Sequence, residues 1–283
     1  MPFARSQDGL SIHYRTAGTK GPWVVLIQGL TLSGRFWFDI PARVAELGAR
    51  VVWLDNRGTG QSDAFPRVTR MRTLADDVIA VLDDVGADKA TVVGISMGGM
   101  IAQQVAVRHP RRVEGLVLLA TTPGLPHGAL PSARTLADLV EMPMKQGTPR
   151  GAELSARLLL AKAERHRFAE LFSKWPGAFL ADPQRRSTFF YQLAAIATHS
   201  VGARLRNLDV PTVVITGSED VLVPPASSRA IAKLIPGAEL EELEGVGHAI
   251  PAVDPTVVER AVRRVWSRAG VTPARATESV AAP

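Results

Sequence analysis

Short apolar runs alternate with segments of helical periodicity along most of this chain, and no other feature constrains its fold as tightly. The runs are Trp23–Ile27, Arg50–Leu54, residues 90–93, Val113–Leu119 and residues 212–215, with a further strand-like stretch at Glu239–Leu243. Runs that stay apolar instead of alternating read as strands buried on both faces, as in a parallel sheet covered by helices. Between them, residues 36–47, 73–85, 97–108, 227–234 and 255–266 carry apolar side chains at helical spacing. Strand and helix in turn predict βαβ units and a doubly wound, mostly parallel α/β sheet. Residues 10–15 alternate and are expected in an antiparallel ribbon at the start.

The alternation stops after Thr121-Thr122-Pro123-Gly124 and resumes near Pro211. Residues 125–208 are patterned only as helices, separated by proline and glycine clusters at 123–131 and 143–151. The chain therefore divides into a core, residues 1–124 and 209–269, and an inserted helical cap, residues 125–208. Within the cap Phe168, Phe172 and Trp175 recur at helical spacing, which serves ordinary packing or a substrate wall. Residues 270–283 lack periodicity and are expected to form a disordered tail.

A chain of 283 residues, 46% hydrophobic and 21% charged, suits one enzyme-sized domain. It has no cysteine, which excludes disulfides, thiolate metal sites and a thiol nucleophile. The first residues contain no apolar signal core, and no apolar stretch reaches the roughly 18 residues that span a bilayer, so a soluble, cytoplasmic protein is expected. The net charge of +6 matches the excess within residues 125–208, which hold twelve Lys or Arg against six Asp or Glu. These charges are scattered, and no aromatic-rich nucleic-acid motif accompanies them, so they read as a solvated helical surface. Their functional version is a substrate carboxylate met by Arg134, Arg157 or Arg204.

The chemistry centres on Gly94-Ile95-Ser96-Met97-Gly98, which follows a buried strand and opens a helix. Such a strand-to-helix turn is too tight for side chains at 94 and 98, and it lifts the serine hydroxyl above the sheet at a helix N-terminus. Serine needs a base, and histidine has the pKa for that task. Of six histidines, His13 sits in the early strand, His109 at a helix end, and His127, His166 and His199 in the insertion. Only His248, in the loop Glu244-Gly245-Val246-Gly247-His248, is both late and loop-borne. The carboxylate that orients it is Asp220, just past the strand at 212–215, with Glu219 adjacent and Asp182 and Asp209 less well placed. The order Ser, Asp, His is the order of this elbow's partners. An oxyanion hole takes one N–H from the residue after the nucleophile, Met97, and one from the turn Gln28-Gly29-Leu30.

These segments, with Asp55-Asn56-Arg57-Gly58-Thr59-Gly60-Gln61-Ser62-Asp63, resemble the α/β-hydrolase superfamily over residues 3–268. The resemblance implies that Leu30 and Met97 donate the oxyanion-hole N–H groups and that residues 55–63 form a structural loop beside the site. The chain departs from the pattern at Gln28, where the family usually has histidine. Arg57-Gly58 together with Ser96-Met97-Gly98-Gly99-Met100-Ile101-Ala102-Gln103 looks most like the serine esterases and 3-oxoadipate enol-lactonases.

The expected function is hydrolysis of a small carboxylic ester or lactone through an acyl-enzyme, with no cofactor and no metal. Nothing in the sequence resembles a phosphate-binding loop or a metal-ligand cluster. The same triad also serves haloperoxidase-like perhydrolases, C–C bond hydrolases and hydroxynitrile lyases. A ligand-binding protein that kept the fold is the non-enzymatic alternative.

Overall fold

In the computed structural model, which describes residues 2–65, 68–182 and 185–274, eight strands form one sheet in the order β1-β2-β4-β3-β5-β6-β7-β8. They are β1 (Phe3–Arg5), β2 (Ser11–Ala17), β3 (Trp23–Ile27), β4 (Arg50–Leu54), β5 (Ala90–Ile95), β6 (Val113–Leu119), β7 (Thr212–Gly217) and β8 (Glu239–Leu243). From β4 to β8 every pairing is parallel, while β1, β2 and β4 pair antiparallel. The expected ribbon is β2 with β1, a strand too short to show a period.

The helices of the two layers are α1 (Ile40–Ala45), α2 (Met71–Asp84) and α3 (Met97–Arg108), then, after the insertion, α10 (Pro225–Leu234), α11 (Ile250–Val253) and α12 (Val257–Ala269). Each central strand sends alternate side chains to opposite faces. Val25, Ile27, Val92, Leu116, Leu118 and Val214 meet Leu74, Val78, Ile101, Val105 and Ile231 of α2, α3 and α10. Val24, Leu26, Val93, Val117, Val213 and Ile215 meet Ile40, Val44, Val258, Val262 and Trp266 of α1 and α12. Because both faces are covered, the strands are apolar throughout, and each fully buried Val, Leu or Ile contributes about 1.5–3 kcal/mol. The Trp266 indole N–H reaches Thr91 Oγ1 at 2.9 Å.

Residues 36–47, expected as one helix, are two pieces. A 3-10 turn, Gly34–Trp37, ends at Phe38 with φ 49°, whose N–H caps Arg35 O, and α1 begins only at Ile40 with Pro41 in its first turn. The helix expected over residues 255–266 is α12, which begins at Val257, just after Pro255 and Thr256. Between β6 and β7 lie α4 (Ala133–Glu141), α5 (Pro149–Leu159), α6 (Phe168–Leu171), α7 (Trp175–Ala181), α8 (Arg186–Ala197) and α9 (Gly202–Leu205). Two of these starts follow directly from sequence: Ser132 Oγ accepts from Thr135 N–H, and Thr148 Oγ1 accepts from Gly151 N–H with Pro149 opening the helix. A Gly124–Ser200 bridge draws the two ends of the insertion together. Of the expected tail, residues 275–283 lie outside the described residues. Among residues 270–274, Val271 N–H bonds Trp266 O and Ala274 N–H bonds Gly48 O, so the chain stays attached to the core this far.

Candidate active site

Parallel strands end on one edge, and the loops leaving that edge share a crevice. Ile27 of β3 is in register with Gly94 of β5, so the turn after β3 lies against the turn after β5. A Cβ built on Gly29 would stand 3.3 Å from Ser96 Cβ and 3.7 Å from Ser96 Oγ. Ser96 itself has φ 56° and ψ −121°, a strained conformation for a residue with a side chain. The strain is held in place by four hydrogen bonds: Ser96 N–H to Leu119 O (2.9 Å), and Ser96 O accepting from Gly99 N–H, Met100 N–H and Thr121 Oγ1 (2.7 Å). The flanking glycines are required by space. A Cβ at Gly94 would meet Gly98 O at 2.2 Å, and one at Gly98 would meet Ile27 O at 2.1 Å.

Asp220 follows β7 and His248 follows β8, and the two strands pair up to Gly217 and Leu243. Both side chains are buried. Asp220 Oδ2 accepts from His248 Nδ1 at 2.7 Å, and Oδ1 accepts from Leu222 N–H (2.9 Å) and Val223 N–H (2.8 Å). A neutral imidazole that gives its Nδ1–H to this carboxylate leaves Nε2 as an acceptor, as a base requires. Glu219 points outward and, among the described residues, its side chain takes only Lys162 N–H, at 3.3 Å. Asp182 is engaged elsewhere, by Ser33 Oγ (2.6 Å) and Arg35 Nε (3.1 Å).

Ser96 and His248 line a cavity of about 1410 Å³, together with Gln28, Gly29 and Leu30. That exceeds the roughly 300–1,000 Å³ of most small-molecule sites. One wall is Leu139, Leu158 and Phe189; the other is aromatic, with Phe36, Phe168, Phe172, Trp175 and Phe179. The aromatics also pack on one another, Phe172 to Trp175 at 4.6 Å and Phe36 to Phe179 at 4.8 Å between centroids. The stripe expected at Phe168, Phe172 and Trp175 is thus both packing and wall, although it crosses from α6 to α7 instead of following one helix. Phe36 and Phe179 were not legible as partners, since one lies in the core and the other in the insertion.

The arginines expected to meet a substrate carboxylate are not in this cavity. Arg157 pairs with Asp138 and Glu153, while Arg134 and Arg204 face solvent. Among the described residues the cations that do line it are Arg43, tied to Glu259 at 2.5 Å, with Lys174 and Arg185. Much of the basic excess is spent in surface pairs, Arg150 with Glu141 and Glu153, and Arg167 with Glu164 and Glu170.

The loop 55–63 braces the site from behind. Asn56 Nδ2 donates to Gln28 O at 3.0 Å. Burial opposes ionisation of Asp55, yet hydrogen bonds from His13 and from the Gln61 and Gly34 N–H groups, with the charge of Arg15, hold its carboxyl below the ordinary range. Arg57 is buried between Asp77 and Asp8. Among the described residues no three His, Asp or Glu side chains gather as metal ligands, and no helix is long and apolar enough to cross a membrane.

Comparison with known proteins agrees with this architecture. The family described as alpha/beta hydrolase fold matches residues 22–255, and the chain belongs to it. A putative carbamate hydrolase, RutD, from Agrobacterium fabrum is 27% identical over 86% of this chain and 92% of its own length. The non-heme chloroperoxidase CPO-A1 of Kitasatospora aureofaciens is 30% identical over 89% of this chain and 94% of its own. The solved enol-lactonase of Burkholderia xenovorans shares the fold with a TM-score of 0.80 at 23% identity, covering 94% of this chain and 100% of that one. The chain is therefore an α/β hydrolase.

Proposed function

We propose that this hydrolase cleaves a carboxylic ester or lactone with an apolar arm, through an acyl-enzyme on Ser96. His248 Nε2 takes the hydroxyl proton as Ser96 Oγ attacks the carbonyl carbon, and Asp220 stabilises the imidazolium. The N–H groups of Leu30 and Met97 receive the oxyanion; among the described residues neither has an acceptor within the protein. Collapse expels the alkoxide, which takes the proton from His248. Water, deprotonated by the same imidazole, then attacks the acyl-enzyme and releases the acid.

The observation that carries this reading is the strained Ser96 opening on the same apolar cavity as the buried Asp220–His248 pair. The aromatic wall supports an apolar acyl or alcohol portion over a small polar one. The test is hydrolysis of p-nitrophenyl acetate, butyrate and octanoate by wild type and Ser96→Ala, with a fluorophosphonate label located by mass spectrometry. Turnover that rises with chain length, is lost in Ser96→Ala and is blocked by label on Ser96 is expected. Turnover that survives Ser96→Ala would refute the proposal.

The similarity to a chloroperoxidase favours one second reading. In it hydrogen peroxide replaces water in the second step, attacking the acyl-enzyme to release a peracid. Halide oxidation that requires both peroxide and a carboxylate, and disappears in Ser96→Ala, would select it.

A further inference from the structure

Four successive residues after β3, Gly29 to Leu32, carry backbone N–H groups in the turn beside Ser96, and among the described residues only one of the four has no acceptor. Gly29 N–H is taken by the side-chain Oε1 of Gln28 at 3.0 Å, and Leu32 N–H by Gly29 O at 3.4 Å. Thr31 N–H is taken by Oε1 of Gln192 at 2.6 Å. Leu30 N–H, between them, has no acceptor among the described residues. Gln192 comes from α8 in the inserted segment, 161 positions along the chain, and its side chain is completely buried.

Two features show that this contact is not incidental. Thr31 stands at φ 62°, a left-handed conformation that a β-branched residue adopts only under outside constraint. The Nε2 of Gln192 is buried without an acceptor among the described residues, a cost that a leucine or methionine of similar size would avoid. What the amide supplies in return is its oxygen, aimed at Thr31 N–H. On the other flank, the histidine expected by family resemblance is replaced by Gln28, whose oxygen holds Gly29 N–H and whose backbone carbonyl is itself held by Asn56.

We propose that Gln192, with Gln28, is a positioning residue for the oxyanion hole: the two amides occupy the N–H groups on either side and leave Leu30 N–H as the donor to the reacting carbonyl. The inference rests on the acyl-enzyme reading above. It also brings the inserted segment into the reaction, because the amide that holds Thr31 N–H comes from α8.

The test compares Gln192→Met, which fills the space without an acceptor, with Gln192→Glu, which keeps one, and with Thr188→Val. Thr188 docks the same helix by donating to Gly58 O at 2.8 Å, away from the turn. Gln192→Met is expected to lower kcat on p-nitrophenyl butyrate by ~10–100-fold, as misplacing one oxyanion donor does, with KM changed less than about threefold. Affinity for an alkylboronic acid, which places an oxyanion in the hole, falls in parallel with kcat/KM, while inhibition by butyrate stays the same. Gln192→Glu recovers most of kcat, and Thr188→Val keeps kcat whatever it does to Tm. Should Gln192→Met not fold, Gln28→Met makes the same test from the other flank. A folded Gln192→Met or Gln28→Met with wild-type kcat, or an equal fall in Thr188→Val, overturns the inference. Loss of activity in Ser96→Ala alongside that result would leave the acyl-enzyme reading standing, whereas activity in Ser96→Ala would remove both.

Discussion

Asp220→Asn changes one atom, and the surrounding hydrogen bonds dictate how the site responds. Oδ1 of Asp220 accepts from Leu222 N–H at 2.9 Å and Val223 N–H at 2.8 Å, two backbone donors that a buried site cannot leave unmet. An asparagine must therefore keep its oxygen on that side and turn its NH2 toward His248. At 2.7 Å from Nδ1 that NH2 needs an acceptor, so the imidazole proton moves to Nε2, the nitrogen that accepts from Ser96 in the proposed mechanism. Packing and the two backbone hydrogen bonds survive, so stability should change by only about 1 kcal/mol. Catalysis should not survive: a wrong tautomer costs on the order of 10⁴ in kcat, or roughly 5 kcal/mol of transition-state stabilisation. The assay is steady-state hydrolysis of p-nitrophenyl butyrate, with urea unfolding as the control. A folded Asp220→Asn retaining more than about a tenth of kcat would refute the assignment of Asp220 as the group that sets the tautomer.

Three further outcomes are set by the geometry. Gly94→Ala places a Cβ 2.2 Å from Gly98 O, a backbone atom that cannot yield, and should cost about 3 kcal/mol or more in urea unfolding together with most of the activity. Trp175→Ala opens the aromatic wall and should lower kcat/KM for the octanoate ester about 10-fold, equivalent to roughly 1.4 kcal/mol of lost apolar contact, with acetate nearly unchanged. Burial, helped by the charge of Arg204, lowers the His199 pKa from its ordinary 6.5 to about 4, so the unfolded chain takes up a proton that the folded one refuses. Stability should therefore fall as pH drops from 6.5 toward 4, by up to roughly 3 kcal/mol, and a His199→Gln variant should lose that part of the slope in urea midpoints.

The central sheet was legible because a strand buried on both faces has no choice but to be apolar, as Val24–Ile27 and Leu116–Leu119 are. Ser96 was legible because the turn that holds it needs Gly94 and Gly98, and steric exclusion leaves a mark in sequence. Asp220 and His248 stand out through position, each in a loop just beyond a strand end, and the structure sets their side chains 2.7 Å apart. What stayed hidden depends on tertiary approach. Nothing in the local sequence says that Gln192 reaches Thr31, or that Phe36 meets Trp175 and Phe179. Gln192 did leave one trace, a lone amide in the apolar stretch Phe189 to Ile196, but periodicity does not report what a buried polar group touches. The arginine expectation failed for a related reason: a charge surplus gives a sum, and Arg157 spends its charge on Asp138. Phe38 broke the expected helix because a positive φ cannot be foreseen at a residue that rarely adopts one.

The most direct test of the account is to catch the covalent intermediate. Wild-type protein mixed with p-nitrophenyl butyrate and acid-quenched within the first turnover should carry one butyryl group on the peptide containing Ser96, formed no more slowly than p-nitrophenol is released. Steady turnover with no acyl group on Ser96, or with the acyl group on another residue, would contradict it.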